Sequence, residues 1–370
     1  MIGELPFFLN YIIPFLAVLT VIVFVHEMGH YLVARWNGVA IDAFSVGFGP
    51  ELFGWTDKHG TRWRLAALPL GGYVKFTGDA NEASVPDLNA PEQNDPALAP
   101  RLFANKSVFQ RMAVVVAGPL ANIIFTFLIL YALLLGYGRL TLAPVVGEVA
   151  PDSPAAVAGL ESGDTFISVD GYGIRGFEDV QRIVSTSPDR RVPVVIERDG
   201  ERLDVTLVPQ PETTTTRFGR EIEVGRIGVS REVGENDIVR YQPDPLEAVG
   251  MTFEEIWFII DRTLIFLGDI FIGRADLDQV AGPVGMAQVS GEVATLGLLA
   301  LVNLTALLSL NIGIINLFPV PMLDGGHLMY YLFEAVRGRP LSQRVQEIGY
   351  RIGFALVCTL MVATLINDLI

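Results

Sequence analysis

The stretch Val21-Ile22-Val23-Phe24-Val25-His26-Glu27-Met28-Gly29-His30-Tyr31-Leu32-Val33-Ala34 decides how the whole chain is read. Its apolar flanks continue from about Phe7 to about Trp36, long enough for a helix to cross a bilayer. Two imidazoles and a carboxylate interrupt that run. Ionisable groups are costly in hydrocarbon, so their presence marks a functional site. Positions i and i+4 share a helix face, and His26 and His30 can therefore reach one metal ion together. Glu27 lies beside them and can take a proton from a water on that metal. The bland alternative is a hydrogen-bonded histidine pair in a helical core.

A catalytic zinc needs a third protein ligand and an open position. Only two further histidines exist, His59 and His327, and Cys358 is the single cysteine, so a cysteine cage and an intramolecular disulfide are both excluded. The segment Asn316-Leu317-Phe318-Pro319-Val320-Pro321-Met322-Leu323-Asp324-Gly325-Gly326-His327 closes a later apolar run. Its prolines and glycines break the helix, and broken backbone at membrane depth is tolerated only where protein or water satisfies it. Asp324 at that break is the candidate third ligand, with a cap at the interface as the alternative. His327 is the runner-up ligand. His59, in a polar turn, is expected at the surface.

Composition agrees with a membrane protein. Of 370 residues, 51% are hydrophobic and 18% charged, against about a quarter charged in soluble domains. The net charge of −15 argues against nucleic-acid binding, which requires clustered Lys and Arg. The reading is a polytopic α-helical membrane protein of about four spans: residues 7–36, 112–138, 296–327 and 351–368. Met1 to Pro6 carries Glu4 and no Lys or Arg, unlike the basic start of a signal peptide, so the first span is expected to be retained.

Lysines and arginines orient the spans. Residues 37–111 and their margins hold Arg35, Lys58, Arg62, Arg64, Lys75, Arg101, Lys106 and Arg111; the loop before the last span holds Arg337, Arg339, Arg344 and Arg351. The terminal segments hold none. The positive-inside rule makes both basic loops cytoplasmic and both termini extracytoplasmic. Residues 79–100, rich in Asp, Glu, Asn, Ala and Pro, read as a flexible cytoplasmic loop. Arg62–Leu68 and Gly72–Phe76 could pair as a hairpin near the membrane, its edge open to strand addition.

Between the second and third spans an α+β domain is expected at 144–210. Val194–Arg198 and Arg202–Val208 flank the turn signal Asp199-Gly200-Glu201, Thr165–Val169 reads as a strand, and Phe177–Val184 as a short amphipathic helix. Residues 211–245 read as a linker, with Glu212-Thr213-Thr214-Thr215-Thr216 as its polar start. Residues 246–275 alternate apolar positions with Glu254, Glu255, Asp261, Arg262 and Asp269, and fit an amphipathic helix lying at the interface.

The paired motifs resemble the site-2 protease family, in particular its bacterial regulator-of-sigma-E branch. His26, Glu27 and His30 match the family's zinc motif, and Asn316 through Gly325 match its NxxPxPxLDG motif. Phe48-Gly49-Pro50, Leu68-Pro69-Leu70-Gly71-Gly72-Tyr73-Val74 and Ala117-Gly118-Pro119-Leu120-Ala121-Asn122 are similar to that branch as well. The resemblance implies zinc held by His26, His30 and Asp324, Glu27 as the general base, and Asn316 with Gly71, Gly72 and Tyr73 against the substrate backbone. It implies a PDZ domain at 144–210, one copy where the best-known members carry two. It further implies regulated intramembrane proteolysis of a single-span protein, such as an anti-sigma factor after a first cleavage, in the bacterial inner membrane, with a peptide or the substrate's outer domain meeting the PDZ domain. Two other classes compete: a non-catalytic PDZ scaffold with structural zinc, and a membrane-anchored ordinary zincin with a downstream His or Glu ligand.

Overall fold

The computed structural model describes residues 8–79, 95–215, 221–230, 238–274 and 280–369. The expected flexible loop at 79–100 falls largely on 80–94, and parts of the expected linker fall on 216–220 and 231–237; these lie outside the described residues. Two compact units form, one of Met1–Ala132 with Met251–Ile370 and one of Leu133–Gly250.

In the first unit, a π-helical turn at Phe8–Ile12 leads into α1 (Ile13–Trp36). The hairpin β1 (Ile41–Thr56) and β2 (Arg62–Phe76) follows, and then α2 (Val108–Tyr137). Four helical segments among the described residues are long and apolar enough to cross a membrane: Leu9–Trp36, Val108–Tyr137, Leu298–Asn316 and Arg344–Asp368. At 1.5 Å per residue, even the shortest covers roughly the 30 Å of a hydrocarbon core.

The hairpin differs from the expectation. Arg62–Leu68 and Gly72–Phe76 do not pair with each other; both belong to β2 and pair with β1. Ala43–Val46 lies opposite Gly72–Lys75 and also opposite Arg62–Leu65, while Phe53–Thr56 lies opposite Arg62–Leu65. The turn falls at Asp57–Thr61 because the local chemistry favours it there. Asp57 Oδ1 accepts the backbone N–H groups of His59 and Thr61 at 2.8 and 3.0 Å, and Gly60 supplies the left-handed φ of 89°. Burial pushes the Asp57 carboxyl up, but hydrogen bonds from the Trp63 indole, those two backbone N–H groups and the Tyr31 hydroxyl outweigh it and hold the pKa at about 2. His59 sits exposed in this turn, as expected. Behind the hairpin, Phe44, Val46, Val74 and Phe76 pack with Tyr31, Ala34, Val114 and Val115 in one buried cluster.

The second unit opens with β3 (Arg139–Leu142), β4 (Glu148–Val149) and the short α3 (Pro154–Val157). Next come β5 (Thr165–Val169), β6 (Tyr172–Gly173) and α4 (Phe177–Ser185). The hairpin β7 (Val192–Arg198) and β8 (Glu201–Leu207) completes a sheet of order β6-β5-β7-β8. Arg198 faces Glu201 across Asp199 and Gly200, both at positive φ, the two-residue turn that matches strand twist. Phe177, Val180, Ile183 and Val184 form the buried face of α4. Directly before β5, the Asp164 carboxylate receives Arg198 Nε at 2.7 Å. Burial alone would raise its pKa, yet the Arg198 pair and the Glu161 N–H lower it.

The described parts of residues 211–245 are strands rather than a linker. They carry β9 (Gln210–Thr215), β10 (Glu221–Arg226), β11 (Val229–Ser230) and β12 (Ile238–Tyr241). β9 pairs with β10, β11 with β4, and β12 with β3. The run Thr213–Thr215 is polar, but threonine is β-branched and prefers a strand, a preference that hydropathy alone hides.

The chain then returns to the first unit through α5 (Pro245–Phe271), close to the helix expected at 246–275. Ile256 on α5 joins Leu310 and Ile314 in a second buried cluster, flanked by Ile123 and Phe127. Unforeseen from the sequence, α6 (Pro283–Thr295) follows, its N-terminal N–H groups at Gly282, Val284 and Gly285 donating to Asp368. The span expected at 296–327 is in fact two elements, α7 (Leu298–Asn316) and α8 (Asp324–Arg337). Pro319 and Pro321 forbid a continuous helix, and Met322 turns the chain at φ 89°. The last span is longer than expected, since α9 covers Gln343–Leu369.

Candidate metal centre

α1 presents His26 and His30 on one face, one turn apart. α8 begins with Asp324, aimed at the same point. His26 Nε2 lies 3.2 Å from His30 Nε2 and 3.1 Å from Asp324 Oδ2, and His30 Nε2 lies 3.5 Å from Asp324 Oδ1. Ligand atoms around a tetrahedral zinc, each 2.0–2.1 Å from it, stand about 3.3 Å apart. The two imidazoles have that spacing, the carboxylate meets each of them through a different oxygen, and one ligand atom from each residue lies within 4.8 Å of the others, the one His/Asp/Glu/Cys group of metal-binding geometry among the described residues. Asp324 Oδ2 is buried against the His26 ring nitrogen, so carboxylate and imidazole lone pairs turn toward one point that a shared cation would satisfy. The residues present fit zinc.

Close packing makes this convergence possible. A Cβ at Gly29 would collide with the Ala117 carbonyl on α2, and one at Gly118 would collide with His30 Nε2. These two glycines let α1 and α2 approach at the depth of the histidines. A Cβ at Gly325 would strike the carbonyls of Leu317 and Phe318, so the first turn of α8 also needs a bare backbone. On the far side of the ring, His30 Nδ1 donates to the Val114 carbonyl at 2.8 Å, which leaves Nε2 free of its proton to face the ion. Replacing Gly118 by Ala is therefore expected to lower zinc affinity at least about tenfold, because overpacking beside a ligand must displace the ring. Competition with a chelator measures this; unchanged affinity would mean that the ring yields freely.

The donors open on a cavity of about 800 Å³. Glu27, Gly71, Gly72, Tyr73 and Asn316 all line it, so the expected site residues come together in one place. A Cβ at Gly72 would lie 2.9 Å from Glu27 Cγ and 2.8 Å from the Ser45 carbonyl, which puts the β2 backbone against the stem of the Glu27 side chain. His327 also lines the cavity but stands apart from the three donors, its Nδ1 3.3 Å from the Tyr350 hydroxyl. Phe48 in the cavity lining and Gly118 against His30 Nε2 carried no role from sequence. A polar or glycine residue inside an apolar span is the signal that could have found Gly118 and Asn122.

Residues 14–360 match peptidase family M50. The chain belongs to this family. Among curated proteins it is 49% identical to one of Rhizobium meliloti named "Putative zinc metalloprotease", over 98% of this chain and 97% of that one. It is 37% identical to "Metalloprotease MmpA" of Caulobacter vibrioides, over 98% and 96% of the two chains. A Mesorhizobium japonicum protein, again named "Putative zinc metalloprotease", is 47% identical over 98% and 99%. This M50 peptidase is a zinc metalloprotease of the site-2 protease type and a membrane protein with several apolar helices.

Proposed function

We propose that this peptidase cleaves single-span membrane proteins within or beside the bilayer, as a step of regulated intramembrane proteolysis. The observation that carries the reading is the placement of the donors: two lie in an apolar span and the third at a helix break directly after another. A soluble zincin has no reason to build its centre there, so the membrane supplies the substrate. The substrate class favoured is a regulator such as an anti-sigma factor, trimmed by a first cleavage, in the bacterial inner membrane.

In this reading His26, His30 and Asp324 hold the metal. Zinc, when bound, supplies a Lewis acid that lowers the pKa of a water to about 7 and polarises the scissile carbonyl. Glu27 takes the proton from the attacking water as its oxygen bonds to the carbonyl carbon. The same carboxyl then delivers the proton to the amide nitrogen as the C–N bond breaks. A helical substrate hides its amides, and unwinding in lipid costs several kcal/mol per orphaned group. Gly71, Gly72 and Tyr73 on β2 receive the unwound segment as an added strand, and Asn316 holds its backbone from the opposite element. The test is direct. Protein reconstituted in vesicles with a trimmed single-span substrate is expected to cut inside the apolar segment, as mapped by mass spectrometry; cuts confined to soluble tails would refute the reading.

The lysine and arginine asymmetry supports a topology with both termini and residues 139–241 outside the cytoplasm. In a Cys358→Ala background, an impermeant thiol reagent is expected to label a cysteine placed at Ser185 in intact cells and to spare one at His59. The reverse pattern would invert the topology.

For the outer unit, with its four-stranded sheet and α4, we take the PDZ reading and assign it the role of a filter. It excludes substrates whose outer domains remain intact. The bilayer already concentrates and orients the substrate, so a further docking contact adds little. β3 and β12 pair with Arg139 opposite Tyr241, so the unit can be removed there and its ends rejoined with a short Gly/Ser linker. The deletion is expected to admit substrate with an intact outer domain. Cleavage of the trimmed form alone would refute the filter, and loss of all cleavage in a zinc-loaded deletion would show docking instead.

A further inference from the structure

Asn122 lies on α2, in the middle of an apolar span, and is fully buried. Its amide Nδ2 faces His26 Nδ1 at 3.4 Å, while its Oδ1 is buried with no hydrogen-bond partner. The stranded oxygen is costly, the nitrogen contact becomes so once Nδ1 carries the ring proton, and one change removes both. If Nε2 of His26 gives its lone pair to the metal, the ring proton sits on Nδ1. The amide nitrogen also carries only protons. In this orientation two donors face each other and an acceptor is stranded. Turning the amide by half a revolution about Cβ–Cγ changes no volume. It sets Oδ1 against Nδ1–H and satisfies both groups.

The surroundings hold this amide where it stands. The Asn122 carbonyl accepts the Thr126 hydroxyl at 2.9 Å and the Ser309 hydroxyl at 3.3 Å, and Thr126 also donates to the Ala306 carbonyl at 2.9 Å. Gly313 on α7 brings its Cα so close that a Cβ there would lie 3.3 Å from Asn122 Cβ. Asn122, Thr126 and Ser309 thus form a buried polar seam between α2 and α7. The other ligand has the same kind of support, since His30 Nδ1 is tied to the Val114 carbonyl about two turns earlier on α2. Residues on one helix would thereby fix the tautomer of both histidines.

We infer that Asn122 is a positioning residue for the zinc centre, accepting the Nδ1 proton of His26 through Oδ1 and so fixing Nε2 as the ligand. The inference rests on His26 being a ligand in the manner proposed above. It adds a partner behind the metal, where outer-shell contacts commonly account for 10–100-fold in affinity.

The experiment measures zinc affinity by chelator competition, and the visible spectrum of the cobalt-substituted protein, for wild type, Asn122→Leu, Asn122→Asp and His26→Ala. Asn122→Leu keeps the shape and removes the acceptor. It is expected to weaken zinc binding by about 10–100-fold and to alter the cobalt spectrum. Asn122→Asp keeps an oxygen facing Nδ1 and is expected to retain affinity within about fivefold of wild type, a rescue that a merely packing role would not produce. Wild-type affinity and spectrum in Asn122→Leu, alongside zinc loss in His26→Ala, would overturn the Asn122 inference alone. Retained zinc in His26→Ala would overturn the ligand assignment and this inference with it. Should the Leu variant fail to fold, wild-type zinc-loaded protein labelled with 15N-histidine decides the matter. His26 Nδ1 is expected to be protonated and shielded from exchange, and an unprotonated Nδ1 would overturn the proposal.

Discussion

Glu27→Gln is expected to retain zinc at the wild-type level and to lose about 10²–10⁴-fold in turnover. Glu27 lines the cavity beside the donors but is not one of the three that converge. Glutamine preserves its size and its contact with the β2 backbone at Gly72, so the substrate groove stays intact. What disappears is the ability to accept a proton from water and pass it to the leaving nitrogen. Binding and chemistry should therefore separate: substrate still associates, and the drop falls on kcat rather than KM. Zinc content and single-turnover cleavage on the same preparation check this. Residual turnover near the wild-type rate would remove Glu27 from the role of base.

The second large effect belongs to Asp324. Its carboxylate lies 3.1 Å from one imidazole and 3.5 Å from the other, with Oδ2 buried against His26. Asp324→Ala leaves two histidines and an empty corner. Zinc affinity is expected to fall by more than about 100-fold, beyond what losing an outer-shell partner costs. Asp324→Asn makes a useful comparison, because it keeps the volume and one oxygen while removing the charge. It should fall between wild type and Ala. Unchanged occupancy in Asp324→Ala would transfer the third ligand to His327, which lines the same cavity from the next turn of α8.

Much of the site could be read from sequence because its chemistry is conspicuous against lipid. His26, His30 and Asp324 are ionisable groups in or at the end of apolar runs, and few such positions exist in this chain. The helix break at Pro319–Pro321 was equally legible, since proline removes a donor and fixes φ. What sequence did not settle was partnership over long distances. Nothing local says that Arg62–Phe76 pairs with Ile41–Thr56 rather than folding on itself at Gly71-Gly72; the decision lies with Asp57, whose side chain builds the competing turn. Thr213–Thr215 looked like a linker because polarity was weighed and β-branching was not. The strands β11 and β12 pair with β4 and β3, about 80 to 100 residues earlier, and pairs so remote leave no periodic trace. α6 is short and rich in Gly, Ala and Ser, with neither the apolar length of a span nor an amphipathic stripe. Asn122 was visible as a polar residue in a span, but only its distance to His26 gives it a purpose.

The central claim is that two α1 histidines and the first residue of α8 hold a catalytic zinc inside the membrane-spanning unit. X-ray absorption at the zinc edge of the zinc-loaded Glu27→Gln protein tests it most directly. One zinc per chain is expected, with two imidazoles, the remaining ligands oxygen at about 2.0–2.1 Å, and no sulfur. The imidazole signal should halve in His30→Ala, and the zinc should be lost at micromolar chelator in Asp324→Ala. Three imidazoles, or a full complement of zinc in Asp324→Ala, would contradict the assignment.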